Sequence, residues 1–125
     1  MTNRRRLSPR ILTEYEPGAI VIEKWGYENS HTDFYCITER RGNSITVLPM
    51  SKHIEQGVII NHCCAPELVA TYSVPLTIDY DSEKLLAELV KDVSGTVLGF
   101  NLRDGIQGNW VRLWDGRSVL ETAMN

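Results

Sequence analysis

The chain has 125 residues, 42% of them hydrophobic and 23% charged, an ordinary globular composition that fits one domain with a single core and excludes a disordered or fibrous class. Its longest uninterrupted apolar run, Ala19-Ile20-Val21-Ile22, is far shorter than the roughly 20 residues of a membrane-spanning helix. The net charge of −3 is uneven: residues 1–10 hold four arginines and no acid, and the remainder carries nine Lys and Arg against sixteen Asp and Glu, a net of −7. An acidic body of that kind disfavours direct binding of a nucleic-acid backbone.

In chain order, residues 1–14 show no apolar periodicity and contain Ser8-Pro9, so they read as a flexible basic arm ahead of a single domain over 15–125. No apolar segment follows the arginines, which argues against a secretory signal and leaves the cytoplasm as the expected compartment. Glu16-Pro17-Gly18 is a turn signal, and 19–25 is rich in β-branched and aromatic residues, as in a first strand. Asn29, Ser30 and His31 suit a loop. Over 33–39, Phe34, Cys36 and Thr38 alternate with Tyr35, Ile37 and Glu39, giving a strand with two half-apolar faces. Arg40-Arg41-Gly42-Asn43 supplies a tight turn, and Ile45, Val47 and Met50 form the next strand, ending near Pro49.

Val58-Ile59-Ile60 reads as a short strand. Residues 68–78 alternate from Tyr72 onward but include Pro75, which cannot donate to a ladder, so that strand is placed at an edge or at a bulge. A helix is expected over about 81–93, where Leu85, Leu86, Leu89, Val90 and Val93 fall on one stripe, Asp79 or Asp81 can cap the start, and Gly95 can end it. Residues 96–102 and 110–114 look β, separated by the turn signals Asp104-Gly105 and Gly108-Asn109 and followed by Asp115-Gly116. Around Val111 and Arg112 the alternation of Trp110, Leu113 and Trp114 is imperfect, and the faces of that strand stay open. The fold class is therefore α+β and β-rich: a bent antiparallel sheet or SH3-like partial barrel carrying one packed helix.

Catalytic and metal motifs are weak. Cys36, Cys63 and Cys64 are odd in number and two are adjacent, a geometry that strains a mutual bridge, so reduced thiols are expected. His53, His62 and the cysteines do not form the paired spacing that turns two ligands toward one zinc ion. A thiol–imidazole pairing of Cys63 or Cys64 with His53 or His62 can be drawn, but nothing in the spacing demands it. There is no G-x-S-x-G elbow and no glycine-rich phosphate loop. No enzyme activity, metal or cofactor is expected.

The aromatic residues carry more signal. Trp25, Tyr27, Phe34 and Tyr35 fall within eleven positions. Such a cluster either plugs a core or lines a site; in the second case Trp25, Tyr27, Glu28, Asp33, Tyr35, Trp114 and Asp115 form one binding patch. Stacking of single-stranded nucleic acid on Trp25, Tyr27, Tyr35 and Trp110 would need a basic patch drawn from Arg40, Arg41, Arg103, Arg112 and Arg117.

Trp25-Gly26-Tyr27-Glu28, then Asp33-Phe34-Tyr35, and the closing Trp114-Asp115-Gly116-Arg117 together resemble a pattern of small phage and plasmid proteins, roughly W-G-Y-[DE]-Q-T-N-x-D-F-Y with a C-terminal W-D-G-[KR]. The likeness covers about 17–50 and 110–122, and it departs at Asn29, Ser30 and His31, where Gln, Thr and Asn stand in the pattern. It implies a mobile-element origin, a bacterial host cytoplasm and a small β-rich fold, without an activity. With the acidic body, the leading expectation is a non-enzymatic accessory protein that inhibits a host nuclease or defence complex, of the anti-CRISPR type, its partner a host protein or protein–nucleic-acid complex. A nucleotide-signal binder using Arg103, Arg112 or Arg117 on phosphate, a single-stranded nucleic-acid module and a homo-oligomer are the alternatives.

Overall fold

The computed structural model describes residues 7–25, 31–57, 61–66, 77–102, 110–116 and 119–122, and their side chains except at Trp25, His31, 52–57, 61–66 and 119–122. Ten strands follow in chain order: β1 (Ile20–Trp25), β2 (His31–Arg41), β3 (Ser44–Met50), β4 (Lys52–Gly57), β5 (Asn61–Pro66), β6 (Leu85–Glu88), β7 (Val90–Lys91), β8 (Val97–Gly99), β9 (Val111–Leu113) and β10 (Val119–Thr122). A curled antiparallel sheet in the order β6-β3-β2-β1-β9 forms the body, beside a three-stranded sheet β10-β5-β4 and the hairpin β7-β8. β5 and β10 lie against β2.

The sheet curls because its strands are apolar on both faces. Ala19, Val21, Tyr35, Ile37, Ile45, Val47, Leu89, Phe100 and Val111 form one buried cluster. Ile20, Phe34, Cys36, Leu48, Met50, Ile78 and Trp114 form another on the opposite face. The register fixes this division, since Val21 stands opposite Tyr35 and Ile22 opposite Phe34, and successive side chains of a strand leave by opposite faces. A bulge between Ile37 and Glu39 bends β2.

Pairing also runs round the inner cluster. β6 pairs with β3, and Leu89 carries the chain into β7, which pairs with β8. Phe100 then exchanges both backbone bonds with Val111, at 3.1 and 2.7 Å, and β9 pairs with β1. This circuit leaves β1 with a partner on each side, the arrangement that relieves a sheet of exposed edges.

The helix expected over 81–93 is not formed; β6 and β7 occupy that stretch, and the described residues contain no helix. Leu85, Ala87 and Leu89 pack toward the inner cluster, so the same leucines satisfy a period of two as well as a helical stripe. The deciding factor is the edge of β3, whose backbone groups are matched by Leu85–Glu88, with Leu89 N–H donating to Asn43 O at 2.7 Å. A helix there would leave that edge unpaired. The residues read as caps serve turns instead. Asp79 accepts bonds from the Asp81 N–H and the Ser82 hydroxyl, and Gly95, at φ 92°, turns the β7–β8 hairpin.

Of the arm expected over 1–14, residues 7–14 lie on the body. Arg10 N–H donates to Gly18 O at 2.8 Å, Leu7 packs on the outer cluster and Leu12 on the inner one. The domain therefore begins before residue 15, because isolated leucines dock without any periodic pattern. Residues 1–6 lie outside the described residues, as do Val58-Ile59-Ile60 and most of the expected strand 68–78, Pro75 included; Ile78 at its end bridges to Met50. Strands β4, β5 and β10 were not anticipated. Among the described residues no helix is long and apolar enough to cross a membrane.

Phe34 is the test of two-sided burial. It is 1% exposed and meets Trp114 edge to face at 5.4 Å. Phe34→Ala is expected to cost about 3–5 kcal/mol, read from urea unfolding; a loss below about 1 kcal/mol would show that the outer face is not core.

The β7–β8 hairpin gives a pH prediction. The Asp92 carboxylate is held below its usual range first by the Ser94 hydroxyl and then by the Thr96 N–H, with further bonds from the Ser94 and Gly95 amides. A lowered folded pKa means that this support is present at neutral pH and is lost as pH falls through and below the ordinary carboxylate value near 3.8. The Thr96 amide proton should therefore move in its NMR spectrum across that acid range. Asp92→Asn should abolish the movement, and persistence of the step in the variant would refute the assignment.

Candidate functional site

The expected patch is divided by the sheet. Tyr35 is buried in the inner cluster, where its hydroxyl donates to Glu23 Oε1 at 3.4 Å, and Trp114 packs in the outer cluster. They are therefore on opposite faces of β1–β2 and do not line one surface. Asp33, half-buried, lies in register with Glu23. Trp25 ends β1 opposite His31, its side chain outside the described set, and Tyr27 and Glu28 lie outside the described residues. Among the described side chains of the seven, Trp114 and Asp115 come together in a concavity.

That concavity is a cleft of about 430 Å³ between β1 and β9, lined by Ile22, Lys24, Trp110, Arg112, Leu113, Trp114 and Asp115. The register explains it. Ile22 pairs with Arg112, Trp114 N–H donates to Ile20 O at 3.0 Å, and one step beyond the paired residues Lys24 comes level with Trp110. Trp110, Arg112 and Trp114 thus alternate onto one face of β9, while Val111 turns inward to the barrel core. Trp114 is almost fully buried, Trp110 half-buried, and Lys24 and Arg112 are exposed. Neither cation forms an ion pair among the described residues.

Gly99 backs this wall. A methyl group there would come within 2.6 Å of the Val111 carbonyl oxygen, 3.3 Å of Arg112 Cγ and 3.4 Å of Trp110 Cε3, and the φ of 132° excludes most side chains in any case. The glycine therefore lets the backbone of β8 approach that of β9 closely. From the inner side, Leu113 N–H donates to the Tyr15 hydroxyl at 3.4 Å, and Tyr15 meets Phe100 edge to face. Burial pushes the Tyr15 phenol upward, partly offset by this bond and by the Arg112 charge.

Lys24, Trp110 and Arg112 were missed as one group. The available signal was the W-x-R-x-W spacing of 110–114, a plain period of two. Leu113, half-buried in the inner cluster although it also borders the cleft, blurred that alternation.

A second surface lies on β6–β8. Leu86 is 77% exposed, Val93 fully so, and Val90 and Leu98 are exposed as well. Exposed Asp79, Asp81, Glu83, Glu88 and Asp92 accompany them along the same stretch of chain, with Lys84 and Lys91 between.

No protein-family model, no curated protein and no solved structure matches the chain.

The described thiol is not poised for chemistry. Cys36 is buried, its Sγ lies 3.6 Å from Ile37 O, and burial pushes its pKa up to about 12. In a variant carrying Cys63→Ser and Cys64→Ser, Cys36 should resist iodoacetamide at about pH 8.5, where an ordinary thiol is half ionised, and label only on unfolding. Labelling of the folded protein at the unfolded rate would contradict its burial.

Proposed function

We propose that the protein is a non-enzymatic binding protein of a phage or other mobile element, which occupies the basic nucleic-acid groove of a host nuclease or defence complex. The observation that carries this reading is the β6–β8 surface, where exposed Leu86, Val90 and Leu98 are interspersed with carboxylates. Apolar side chains within a charged margin are the composition of a protein interface. Carboxylates in that margin favour a partner whose own surface is positive, and they speed the encounter at low salt. The finer description of the fold, an SH3-like partial barrel, belongs to the same proposal, as do the cytoplasmic site of action and the motif likeness around Trp25 and Trp114. The basic groove of a partner that normally holds DNA or RNA is opposite in sign to the −7 body and so complements it.

Immobilised protein should capture a nucleic-acid-binding host protein that is displaced by oligonucleotide and released as salt rises. Leu86→Lys and Leu98→Lys place positive charge at two of the exposed apolar positions. Each should weaken capture by about tenfold or more while leaving the unfolding midpoint near its original value, since both positions are exposed. A captured partner that oligonucleotide does not displace, or equal capture by the lysine variants, would overturn the proposal.

A further inference from the structure

The cleft between β1 and β9 has no part in that reading and points to a separate binding activity. Its volume, about 430 Å³, lies within the range of roughly 300–1,000 Å³ typical of small-ligand sites. Its chemistry is specific. Trp110 and Trp114 bracket Arg112 on one face of β9, and Lys24 stands across from Trp110 on β1, above an apolar floor made by Ile22. Indole rings offer planar π faces, and two cations without ion pairs among the described residues offer an anion site beside them.

Arg112 and Lys24 flank the recess. Both are exposed, whereas the tryptophans beside them are not, so the charges are held at the mouth of a hydrophobic recess. Behind them, Gly99 lets β8 approach β9 closely, since a Cβ there would meet the Val111 carbonyl oxygen at 2.6 Å.

We infer that this cleft binds a nucleoside monophosphate, the ring lying against the indoles and the phosphate meeting Arg112 and Lys24. Free nucleotide is favoured over a nucleic-acid strand by charge. Among the described lining residues Lys24 and Arg112 outnumber Asp115 by one positive charge, while the acidic body repels an extended polyanion.

The test is isothermal titration, with tryptophan fluorescence as a second readout, using AMP, GMP, adenosine, guanosine, inorganic phosphate and a ten-residue oligothymidylate. At least one monophosphate should bind saturably below about 1 mM and quench fluorescence, and its nucleoside should bind about tenfold more weakly or worse. Arg112→Gln and Lys24→Gln, both at exposed positions, should each weaken the monophosphate several-fold or more and leave the nucleoside unchanged. The inference is overturned by absence of saturable binding of either monophosphate, by equal affinity for nucleoside and monophosphate, by unchanged affinity in both glutamine variants, or by the oligonucleotide binding more tightly than the monophosphates with a steep salt dependence.

Discussion

Burial of β1 on both faces is the constraint on which the rest of the structure depends. Ala19, Ile20 and Val21 are all fully buried although successive residues point to opposite sides of the sheet. An antiparallel strand commonly keeps one face in water; here neither face can stay there. The inner face is covered by the curl of the sheet and by Phe100 and Val111. The outer face is covered by Phe34, Ile78 and Trp114, with Leu7 from the N-terminal segment. Each covering piece is recruited from far along the chain, which is why residues near 7, 78 and 114 meet over one short strand.

The same constraint places the two surfaces that can do work. Covering the inner face requires β9 to pair with β1, and that pairing brings Arg112 level with Ile22 and opens the cleft on the outer side. Covering it from the other edge requires β6 to pair with β3, which turns Leu85, Ala87 and Leu89 inward and leaves Leu86 and Val90 outside. The cleft at β9 and the exposed Leu86 on β6 are consequences of closing one core, at opposite ends of the five-stranded sheet.

Glu23 is the local exception. It is fully buried on the inner face and accepts a bond from the Tyr35 hydroxyl, so the barrel core contains a polar pair where the alternation calls for two apolar residues. A buried polar group is retained only when its bonds are met, and the cross-strand neighbour of Val21 meets one of them. Tyr35, read from the sequence as a site residue, has this structural role.

The sequence by itself determined the parts governed by short-range chemistry. The turn at Gly42 and the strands around 20–25, 33–39 and 45–50 are legible because backbone conformation and a two-residue alternation are local properties. Trp114 and Asp115 were legible as a candidate site for the same reason, as members of a compact motif. Only the tertiary structure decided that 85–91 is strand, that Leu7 and Leu12 belong to the core, and that Tyr35 and Trp114 are separated by a sheet. Those outcomes depend on which edge needs a partner and which face needs a cover. Hydrogen-bonding groups on β3 and apolar area on β1 impose both needs across dozens of intervening residues, beyond the reach of any local periodicity.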